Sequence, residues 1–204
     1  MVATKFHPRT SEEIANGISG QENIRRMVDK SLQNLGMDYI DLYIYHMWDY
    51  QTPLYDILEG LNQVVKAGKV RYHGISNGFD WQLCKANDLA RAEVFAPFVS
   101  LQGHYNLLFR EEEREMVPFC REENIALTPY SALAGGRLSK HPGETSQRLE
   151  PDSYAQGKYD GAADQAAPIP APVAALAQAR GVSPTTISPA RLHTKVTTPE
   201  GGLT

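Results

Sequence analysis

The stretch "VATKFHPRT", residues 2–10, decides the fold, because it joins a strand pattern to a loop without glycine. Residues 2–6 are rich in β-branched and aromatic side chains and predict a strand, and the polar residues after Phe6 predict a loop. An open, doubly wound sheet that binds dinucleotides usually carries G-x-G-x-x-G at this point. The stretch therefore favours the other common arrangement of parallel strands, a closed barrel.

Further along the chain, strand-like runs alternate with helical spacing. Strands are predicted at residues 2–6, 39–46, 70–76, 98–105 and 125–131, and helices at 24–35, 54–65, 80–92 and 110–124. Gly36 is suited to end the first helix as a C-cap, and Pro118 would kink the last. Strands joined by helices indicate repeated βαβ units and a parallel sheet. We therefore predict an α/β fold, a (β/α)8 TIM barrel.

Polar side chains lie where the predicted strands end. Lys5 ends the first strand and His46 the second. Ser76 and Asn77 end the third, Gln102 lies late in the fourth, and Tyr130 with Ser131 ends the fifth. In a parallel barrel the carboxyl ends of all strands meet at one face, where active sites are built. Each residue alone has an ordinary structural explanation, such as a serine that caps the next helix. The series as a whole favours a shared functional site.

Charge and hydropathy exclude several classes of partner. The net charge of −4 and the lack of a lysine- and arginine-rich run argue against nucleic acid or an anionic membrane surface. No apolar run reaches the roughly 20 residues of a membrane span, and the start lacks a signal-peptide pattern. Cys84 and Cys120 have no spacing typical of a disulfide framework or a zinc site. We expect a soluble, cytoplasmic protein with reduced thiols and no metal site.

Four stretches carry a resemblance to a known family. They are "DLYIYHMWDYQTPL" (41–54), "VKAGKVRYHGISN" (65–77), "SLQGHYNLLFREEERE" (100–115) and "LTPYSALAGGRLSK" (127–140). In order and spacing across residues 1–140 they resemble consecutive motifs of the aldo-keto reductase family, in the bacterial branch similar to the potassium-channel β subunits. The resemblance implies a (β/α)8 barrel that binds a nicotinamide cofactor and reduces aldehydes and ketones.

The resemblance implies two catalytic residues, Lys5 in "ATKF" and His46 in "DLYIYH". In the family, aspartate, tyrosine, lysine and histidine form a tetrad. The lysine ammonium stabilises the phenolate and lowers the pKa of the tyrosine that donates the proton, and the histidine orients the substrate. Trp48 and Tyr50 would either wall the pocket or pack as exposed aromatic residues. The expected ligand is a small-molecule carbonyl compound.

The resemblance also implies a cofactor site for NADP(H), with NAD(H) left open. Ser76, Asn77 and Gln102 match the groups that hydrogen-bond the nicotinamide carboxamide, and Tyr130 matches the aromatic residue that stacks on the ring. The loop that wraps the pyrophosphate, where small residues let backbone N–H groups approach phosphates, corresponds to Ser131, Leu133, Gly135, Gly136 and Leu138. Arg137 and Lys140 would add positive charge there or remain solvated loop residues.

The match is expected to be incomplete at both termini. The chain corresponds to barrel strands three to seven, so the first two strands, which carry the tetrad aspartate and tyrosine in relatives, and the last strand are expected to be missing. We predict one partial domain over residues 1–204, with a mobile loop at 141–170 and a degenerate helical segment at 171–204 that Pro189 interrupts. Unpaired edges of such a sheet would favour self-association.

Three functions fit these observations. The first is an NADPH-dependent reductase of aldehydes and ketones, whose activity would be impaired without the tetrad aspartate and tyrosine. The second is a non-catalytic subunit that binds nicotinamide nucleotides and acts in regulation. The third is a metal-dependent hydrolase that uses His46, Asp49, His73 and His104, and it is the weakest because no HxH or HExxH spacing occurs.

Overall fold

A computed structural model describes residues 1–140, 153–159, 161 and 168–196. The chain falls into two compact units. The first contains Met1–Gly103 and Glu123–Thr128, and the second contains His104–Glu122 and Pro129–Thr204. The single domain expected from the sequence stays a prediction.

The first unit is a parallel sheet with helices in its crossovers, as the sequence predicts. Its strands, in the order β1-β2-β3-β4-β5, are β1 (Ala3–Phe6), β2 (Ile40–Tyr45), β3 (Val70–Ser76), β4 (Phe98–Gln102) and β5 (Ala126–Leu127), and all neighbours pair in parallel. Its helices are α1 (Ser11–Ala15), α2 (Gly20–Leu35), α3 (Leu54–Lys66) and α4 (Asp80–Ala92). Strand order equal to chain order is the arrangement found in barrels and not in doubly wound sheets.

Local chemistry sets the limits of α2. The Ser19 hydroxyl caps its start by accepting from the Glu22 amide at 3.1 Å, and Gly36 ends it in the left-handed conformation, at φ 62°. The predicted C-cap is therefore confirmed. The helix buries Ile24 and Val28, and it passes so close to α3 that a Cβ on Gly60 would lie 2.8 Å from the Ile24 side chain. The core of this unit lies between the helices and the sheet, where Phe6 stacks on Tyr43 at 4.5 Å between ring centroids.

A β-bulge sets the pairing of β3 with β4. His73 pairs with Phe98, but the next residue, Gly74, pairs with Ser100, so Val99 is an extra residue on β4. The strands then continue in register to the pair of Ser76 and Gln102. Because successive strand residues point to opposite faces, a shift of one residue decides which side chains share a face. The bulge therefore brings Ser76 and Gln102 side by side.

The second unit is helical in its described part. It contains α5 (Met116–Glu122), α6 (Ser153–Tyr159), α7 (Pro170–Arg180) and α8 (Pro184–Val196), with short 3₁₀ turns at Glu111–Glu113 and Ala134–Gly136. A small apolar cluster forms its core: Ala134, Leu138, Ala155 and Tyr159 are buried, and Leu107, Leu108 and Ile169 pack around them.

The strand predicted over 98–105 ends at Gln102. Two other predicted elements are also shorter than expected, and a proline accounts for each of these two. The helix predicted over 110–124 is divided into the 3₁₀ turn and α5. Pro118 lies in the first turn of α5, because its ring excludes helical structure four residues earlier, so the proline stands at the start of a shorter helix and not at a kink within a long one. The strand predicted over 125–131 is only Ala126–Leu127, because Pro129 has no N–H to donate to a neighbouring strand.

The predicted ending also differs from the structure. Pro189 does not interrupt the last helix, since α8 runs through it to Val196. The buried residues Ser188 and Leu192 hold the helix on both sides of the proline, and the Ser188 hydroxyl donates to the Leu138 carbonyl at 3.3 Å. Within the predicted loop at 141–170, Ser153–Tyr159 is helical. Residues 141–152, 160 and 162–167 lie outside the described residues, and the mobility of the loop stays a prediction.

Among the described residues, no helix is both long enough and apolar enough to cross a membrane. Cys84 and Cys120 are free thiols, and Cys120 is buried.

Candidate functional site

Five of the predicted site residues lie together at the carboxyl edge of the sheet in the first unit. Lys5 is near the end of β1, His46 follows β2, Ser76 ends β3, Asn77 follows it, and Gln102 ends β4. The strands are parallel, so these positions share one edge. The Lys5 ammonium and the His46 imidazole therefore lie at the same end of the sheet, which is the arrangement that the resemblance requires.

The Lys5 side chain reaches across the sheet to Gln102. Its Nζ donates a hydrogen bond to the Gln102 Oε1 at 2.6 Å, although β1 and β4 are separated by two other strands. In a flat sheet the two backbones would lie about 14 Å apart, since neighbouring strands are spaced by about 4.8 Å. The contact indicates that the sheet curves toward this face. Sequence reasoning assigned the two residues to separate groups, and the structure joins a catalytic candidate to a cofactor candidate.

Ser76 and Asn77 link the ends of three strands. The Ser76 hydroxyl donates to the Gln102 carbonyl at 2.8 Å, and the Asn77 Nδ2 donates to the His46 carbonyl at 3.1 Å. Asn77 adopts φ 54°, a left-handed conformation that asparagine tolerates better than most residues. This conformation turns the chain at the end of β3, and the hydrogen bonds fix the predicted carboxamide-binding residues relative to His46.

The His46 ring contacts a second histidine that the sequence analysis did not single out. His46 Nδ1 and His7 Nε2 are 3.0 Å apart, and the ring centroids are 4.3 Å apart. Partial burial, the neighbouring His7 and the positive charge of Lys5 all lower the pKa of His46. His7 lies two residues after Lys5, so the alternation of strand side chains was the signal that could have found it.

A buried polar network supports the loop after His46. The Asp49 carboxylate accepts from the Tyr45 hydroxyl at 3.0 Å, from the Gln51 amide at 2.8 Å and from both the amide and the hydroxyl of Thr52. Burial acts to raise the pKa of Asp49, but these hydrogen bonds outweigh it and hold the pKa below its usual value. Arg9 joins the network by donating to the Thr52 hydroxyl at 2.7 Å. The loop is therefore tied to the segment that follows β1.

The aromatic residues in this loop have different exposure. Trp48 is half-buried, whereas the Tyr50 side chain is 75% exposed and its hydroxyl accepts from the Gln82 Nε2 at 3.2 Å. The strand tyrosines Tyr43 and Tyr45 are buried, and their hydroxyls bond to Ser31 and Asp49. Burial raises the pKa of both phenols, so neither resembles a proton donor at the carboxyl edge.

The remaining predicted cofactor residues lie in the second unit. They are Tyr130, Ser131, Leu133, Gly135, Gly136, Arg137, Leu138 and Lys140. The segment turns tightly, with positive φ at Ser131, Ala134, Gly135 and Gly136, and positive φ in non-glycine residues is strained and concentrates at functional sites. The amides of Ala134, Gly136, Arg137 and Leu138 donate within the turn. The Leu138 side chain is fully buried in the apolar cluster, so only its backbone is available to a ligand.

Tyr130 lies in an aromatic and cationic setting within this unit. His104 stacks on Tyr130 at 5.4 Å between centroids, and the Lys158 Nζ lies 4.8 Å from the centroid of the Tyr130 ring. The His104 Nε2 is 2.8 Å from the Tyr159 hydroxyl. Burial and the positive charge of Lys158 lower the pKa of His104 to about 4, so this ring is neutral at pH 7.

The residues of the metal hypothesis have separate partners. Asp49 is in the network with Tyr45 and Thr52, and His104 is paired with Tyr159. His73 is fully buried on β3 with its ring against Phe98, and burial lowers its pKa to about 4. In the part of the chain that the structure describes, no group of three or more histidine, cysteine, aspartate or glutamate residues could hold a metal ion.

Comparison with known proteins assigns this arrangement to a family. The Aldo/keto reductase family model matches residues 1–197, and the chain belongs to the aldo/keto reductase family. The five parallel strands and their helical crossovers are therefore part of a (β/α)8 barrel, as predicted.

Several fungal proteins are similar to this chain. An aldo-keto reductase of Alternaria alternata is 33% identical over 207 residues, which cover 98% of this chain and 56% of the relative. Norsolorinic acid reductase B of Aspergillus parasiticus is 37% identical, over 70% of this chain and 39% of its own. An aryl-alcohol dehydrogenase of Pestalotiopsis microspora is 35% identical, over 78% of this chain and 43% of the relative. The chain thus spans about half the length of these relatives or less, and the predicted bacterial branch stays a prediction.

Proposed function

We propose that this chain provides the carboxyl-edge site of an NADPH-dependent oxidoreductase that reduces aldehydes and ketones to alcohols. The observation that carries the proposal is the arrangement of Lys5, His46 and Gln102 at one edge of the curved sheet, with Lys5 and Gln102 in direct contact. Family membership supports the reaction class. The geometry supports the role of these residues, because a carbonyl reductase needs positive charge and hydrogen-bond donors beside one oxygen atom.

The residues at the carboxyl edge fit a nicotinamide carboxamide. A carboxamide both donates and accepts hydrogen bonds, and Ser76, Asn77 and Gln102 offer a hydroxyl and two amides of the same dual character. Gln102 accepts from Lys5 through its Oε1, and its Nε2 is the donor side of the same amide. When bound, NADPH supplies the hydride, and NAD(H) is the other cofactor of this chemistry. The chain's own residues hold the ring in place.

Lys5 and His46 act on the carbonyl oxygen in this proposal. Negative charge develops on that oxygen as the carbon is reduced, and the Lys5 ammonium stabilises it electrostatically. His46 is largely neutral at pH 7, since its pKa is lowered, and a neutral imidazole can donate one hydrogen bond without carrying charge. Its role is to orient the carbonyl group and stabilise the developing charge.

In the second unit, we assign the turn at residues 131–140 to the cofactor pyrophosphate. Arg137 and Lys140 bring positive charge to this turn, which supports an interaction with phosphates. Most amides of the 3₁₀ turn already donate within it. The contribution of Ser131, Leu133, Gly135, Gly136 and Leu138 is therefore the shape of the backbone more than a set of unused donors. Within the same unit, Tyr130 offers an aromatic face of the kind on which a planar ring can stack.

The substrate class we propose is an aromatic carbonyl compound of small size. Two of the relatives are named as a norsolorinic acid reductase and an aryl-alcohol dehydrogenase. In this chain, Tyr50, Phe79 and Trp81 are more than half exposed and lie in or next to the loops that follow His46 and Asn77. Exposed aromatic side chains beside a site favour planar aromatic ligands through stacking.

A second candidate is a non-catalytic subunit that binds nicotinamide nucleotides. The favouring observation is the partner of Lys5: among the described residues, its ammonium is hydrogen-bonded to the Gln102 amide and not to a phenol. A lysine without a phenol beside it has no proton donor to activate, whereas the carboxamide-binding groups keep their function. The two candidates therefore share a binding site and differ in turnover.

One experiment separates the two candidates. NADPH fluorescence is titrated with the 204-residue chain, with Gln102→Leu and with Gln33→Leu, a matched change on an exposed face of α2. We expect the chain and Gln33→Leu to bind NADPH and Gln102→Leu to bind at least about tenfold more weakly, which corresponds to about 1.4 kcal/mol. Turnover of 4-nitrobenzaldehyde would identify the reductase, and binding without turnover the non-catalytic subunit. Equal affinity in Gln102→Leu, or no binding at all, would contradict the assigned cofactor site.

A further inference from the structure

The histidine pair at the mouth of the site is a structural unit of its own. His7 Nε2 and His46 Nδ1 are 3.0 Å apart, within hydrogen-bond distance, and the rings are tilted by 45°. His7 is exposed and His46 is half-buried. The contact joins the segment after β1 to the segment after β2, and it occupies the ring nitrogen of His46 that is closer to the backbone. The other nitrogen, Nε2, is at the outer end of the ring.

Hydrogen bonds hold the backbone of both histidines. The His46 amide donates to the Phe6 carbonyl at 2.9 Å, and the His46 carbonyl accepts from the Asn77 Nδ2 at 3.1 Å. The His7 carbonyl accepts from the Nδ2 of Asn23, a buried residue of α2, at 3.3 Å. Pro8 further restricts His7 to extended conformations. The two rings are therefore brought together by fixed backbone positions and not by a chance encounter of surface side chains.

A hydrogen bond between two imidazole nitrogens fixes where the protons are. One nitrogen must carry a hydrogen and the other must not, and a neutral imidazole carries a single N–H. If His7 Nε2 donates, His46 Nδ1 is the acceptor, and the hydrogen of His46 is on Nε2. If His46 Nδ1 donates instead, its Nε2 has no hydrogen and cannot donate to a carbonyl oxygen.

We propose that His7 is a positioning residue that donates from Nε2 to His46 Nδ1 and thereby holds His46 in the tautomer with its hydrogen on Nε2. This inference rests on the proposed function, in which His46 donates to the substrate oxygen. A hydrogen-bonding partner also selects one tautomer of a functional histidine at metal sites and in catalytic triads, although there the partner is an acceptor and here it is a donor. Protonation of His7 would strengthen the arrangement, because an imidazolium has hydrogens on both nitrogens and can only donate.

Two groups with positive or titratable side chains act on the His46 ring. His46 faces His7 and Lys5, and both oppose a second positive charge on His46. On the other side, Asn77 contributes an amide and no charge. These neighbours disfavour a second proton on His46 and so leave its Nδ1 available as an acceptor.

The test is the tautomeric state of His46, read from the 15N chemical shifts and two-bond couplings of its ring nitrogens in the folded chain. We expect a pyrrole-type Nε2 and a pyridine-type Nδ1. In His7→Asn, whose amide is too short to reach, the shifts should move toward the intermediate positions of a ring that exchanges between tautomers. In His7→Gln, whose amide nitrogen can occupy the position of the histidine Nε2, the original pattern should return. His193→Phe, at an exposed histidine of α8, is the matched control and should change nothing.

The NMR measurement decides the role of His7 without requiring enzymatic turnover. A hydrogen on His46 Nδ1 in the unaltered chain would overturn the proposal, and so would identical His46 shifts in the chain and in His7→Asn. The measurement uses neither cofactor nor carbonyl compound, so it can succeed while NADPH binding fails, or fail while binding succeeds. Amide spectra of His7→Asn and His7→Gln show whether each variant is folded, and both keep a polar side chain at this exposed position.

Discussion

The Lys5 ammonium is hydrogen-bonded to a neutral group, the Gln102 amide. Its hydrogen bond to the Gln102 amide neutralises no charge, so the full positive charge acts on the groups around it. One of these is His46, whose pKa is lowered first by burial and then by His7 and Lys5. At the scale of single residues, the site therefore combines one ammonium group with a histidine whose pKa is lowered.

We predict that Lys5→Met raises the pKa of His46. Removal of the ammonium charge removes one of the three causes that disfavour the imidazolium, and the other two remain. The measurement is an NMR titration of the His46 ring in the chain and in Lys5→Met. Lys30→Met removes an exposed lysine of α2 and is the control, which should leave His46 unchanged. A lower pKa of His46 in Lys5→Met would show that the lysine does not act on this ring.

Gly74 on β3 is required by the close approach of β4. A Cβ at this position would lie 2.1 Å from the Ser100 hydroxyl oxygen and 2.9 Å from the Ser100 carbonyl, which belongs to the backbone and cannot turn away. We predict that Gly74→Ala lowers the free energy of unfolding by about 1–3 kcal/mol, the usual cost of overpacking. Chemical denaturation measures it.

The matched control for this change is Gly78→Ala, a few residues further along the chain. A Cβ there meets its nearest neighbour at 3.6 Å, which is an ordinary contact. We expect its effect on the free energy of unfolding to stay within about 1 kcal/mol in either direction. Equal destabilisation by both substitutions would mean that the contact with Ser100 is not the reason for glycine at position 74.

At the scale of elements, Glu113 joins separate segments of the second unit. Its carboxylate accepts from Arg110 at 2.5 Å and from the Tyr105 hydroxyl at 2.6 Å, and Arg191 of α8 lies 3.6 Å away. The hydrogen bond from Arg110 is the largest cause that lowers the pKa of Glu113, to about 2. The loop before α5 and the last helix therefore meet at one carboxylate.

This arrangement predicts a pH-dependent contribution to stability. Because the folded-state pKa of Glu113 is lower than its usual value, its contribution is complete above the unfolded-state pKa and is lost as the pH falls toward about 2. Glu113→Gln should lower the melting temperature at pH 7, and its difference from the chain should shrink between about pH 5 and pH 2. Glu122→Gln, at an exposed position of α5, is the control. A difference that stays constant over this pH range would contradict the prediction.

Local sequence patterns predicted an element correctly where a single local feature, such as helical periodicity or a capping glycine, determines its limits. The helix at residues 80–92 has the predicted bounds, and Gly36 caps α2 as expected. The predictions failed where the effect of a proline on a helix depends on its position in the helix and on the residues packed around it. The sequence predicts a kink at Pro118 and an interruption at Pro189, but Pro118 lies in the first turn of α5, and the packing of Ser188 and Leu192 holds the helix around Pro189. Packing between distant segments cannot be derived from local periodicity.

The candidate site shows the same division. The shared edge of Lys5, His46 and Gln102 could be predicted, because parallel strands impose it. The ends of the last two strands could not: they lie at Gln102 and Leu127, before the predicted limits at 105 and 131. The contact of Lys5 with Gln102 could not, since it depends on the curvature of the sheet. Alternation from Lys5 places His7 on the same face, but its contact with His46, which follows the neighbouring strand, could not be predicted because His7 belongs to no motif.

At the scale of the whole molecule, the sheet has two outer strands. Among the described strands, β1 pairs only with β2 and β5 pairs only with β4. Unpaired strand edges are templates for pairing with another chain. We therefore predict that the isolated 204-residue chain self-associates, and that its average mass in analytical ultracentrifugation rises with concentration.

A substitution on the outer strand tests whether the edge is responsible. Ala3→Pro removes an N–H near the start of β1, where proline is tolerated, and should reduce the association. The control is Val94→Ala, a substitution at an exposed residue outside the strands. Proline controls are unsuitable, because φ is 76° at Gly17 and because Leu176→Pro would break α7. A single-chain mass at every concentration would contradict the role of the edges.

The bulge at Val99 makes β4 sensitive to changes in the number of its residues. Replacement of a side chain between Phe98 and Gln102 leaves the spacing of the chain intact. Loss or gain of one residue between Ser100 and Gln102, after the bulge, would place a different residue opposite Ser76 and turn its side chain to the other face. The length of the segment after Val99, as well as its side chains, therefore keeps Ser76 and Gln102 adjacent.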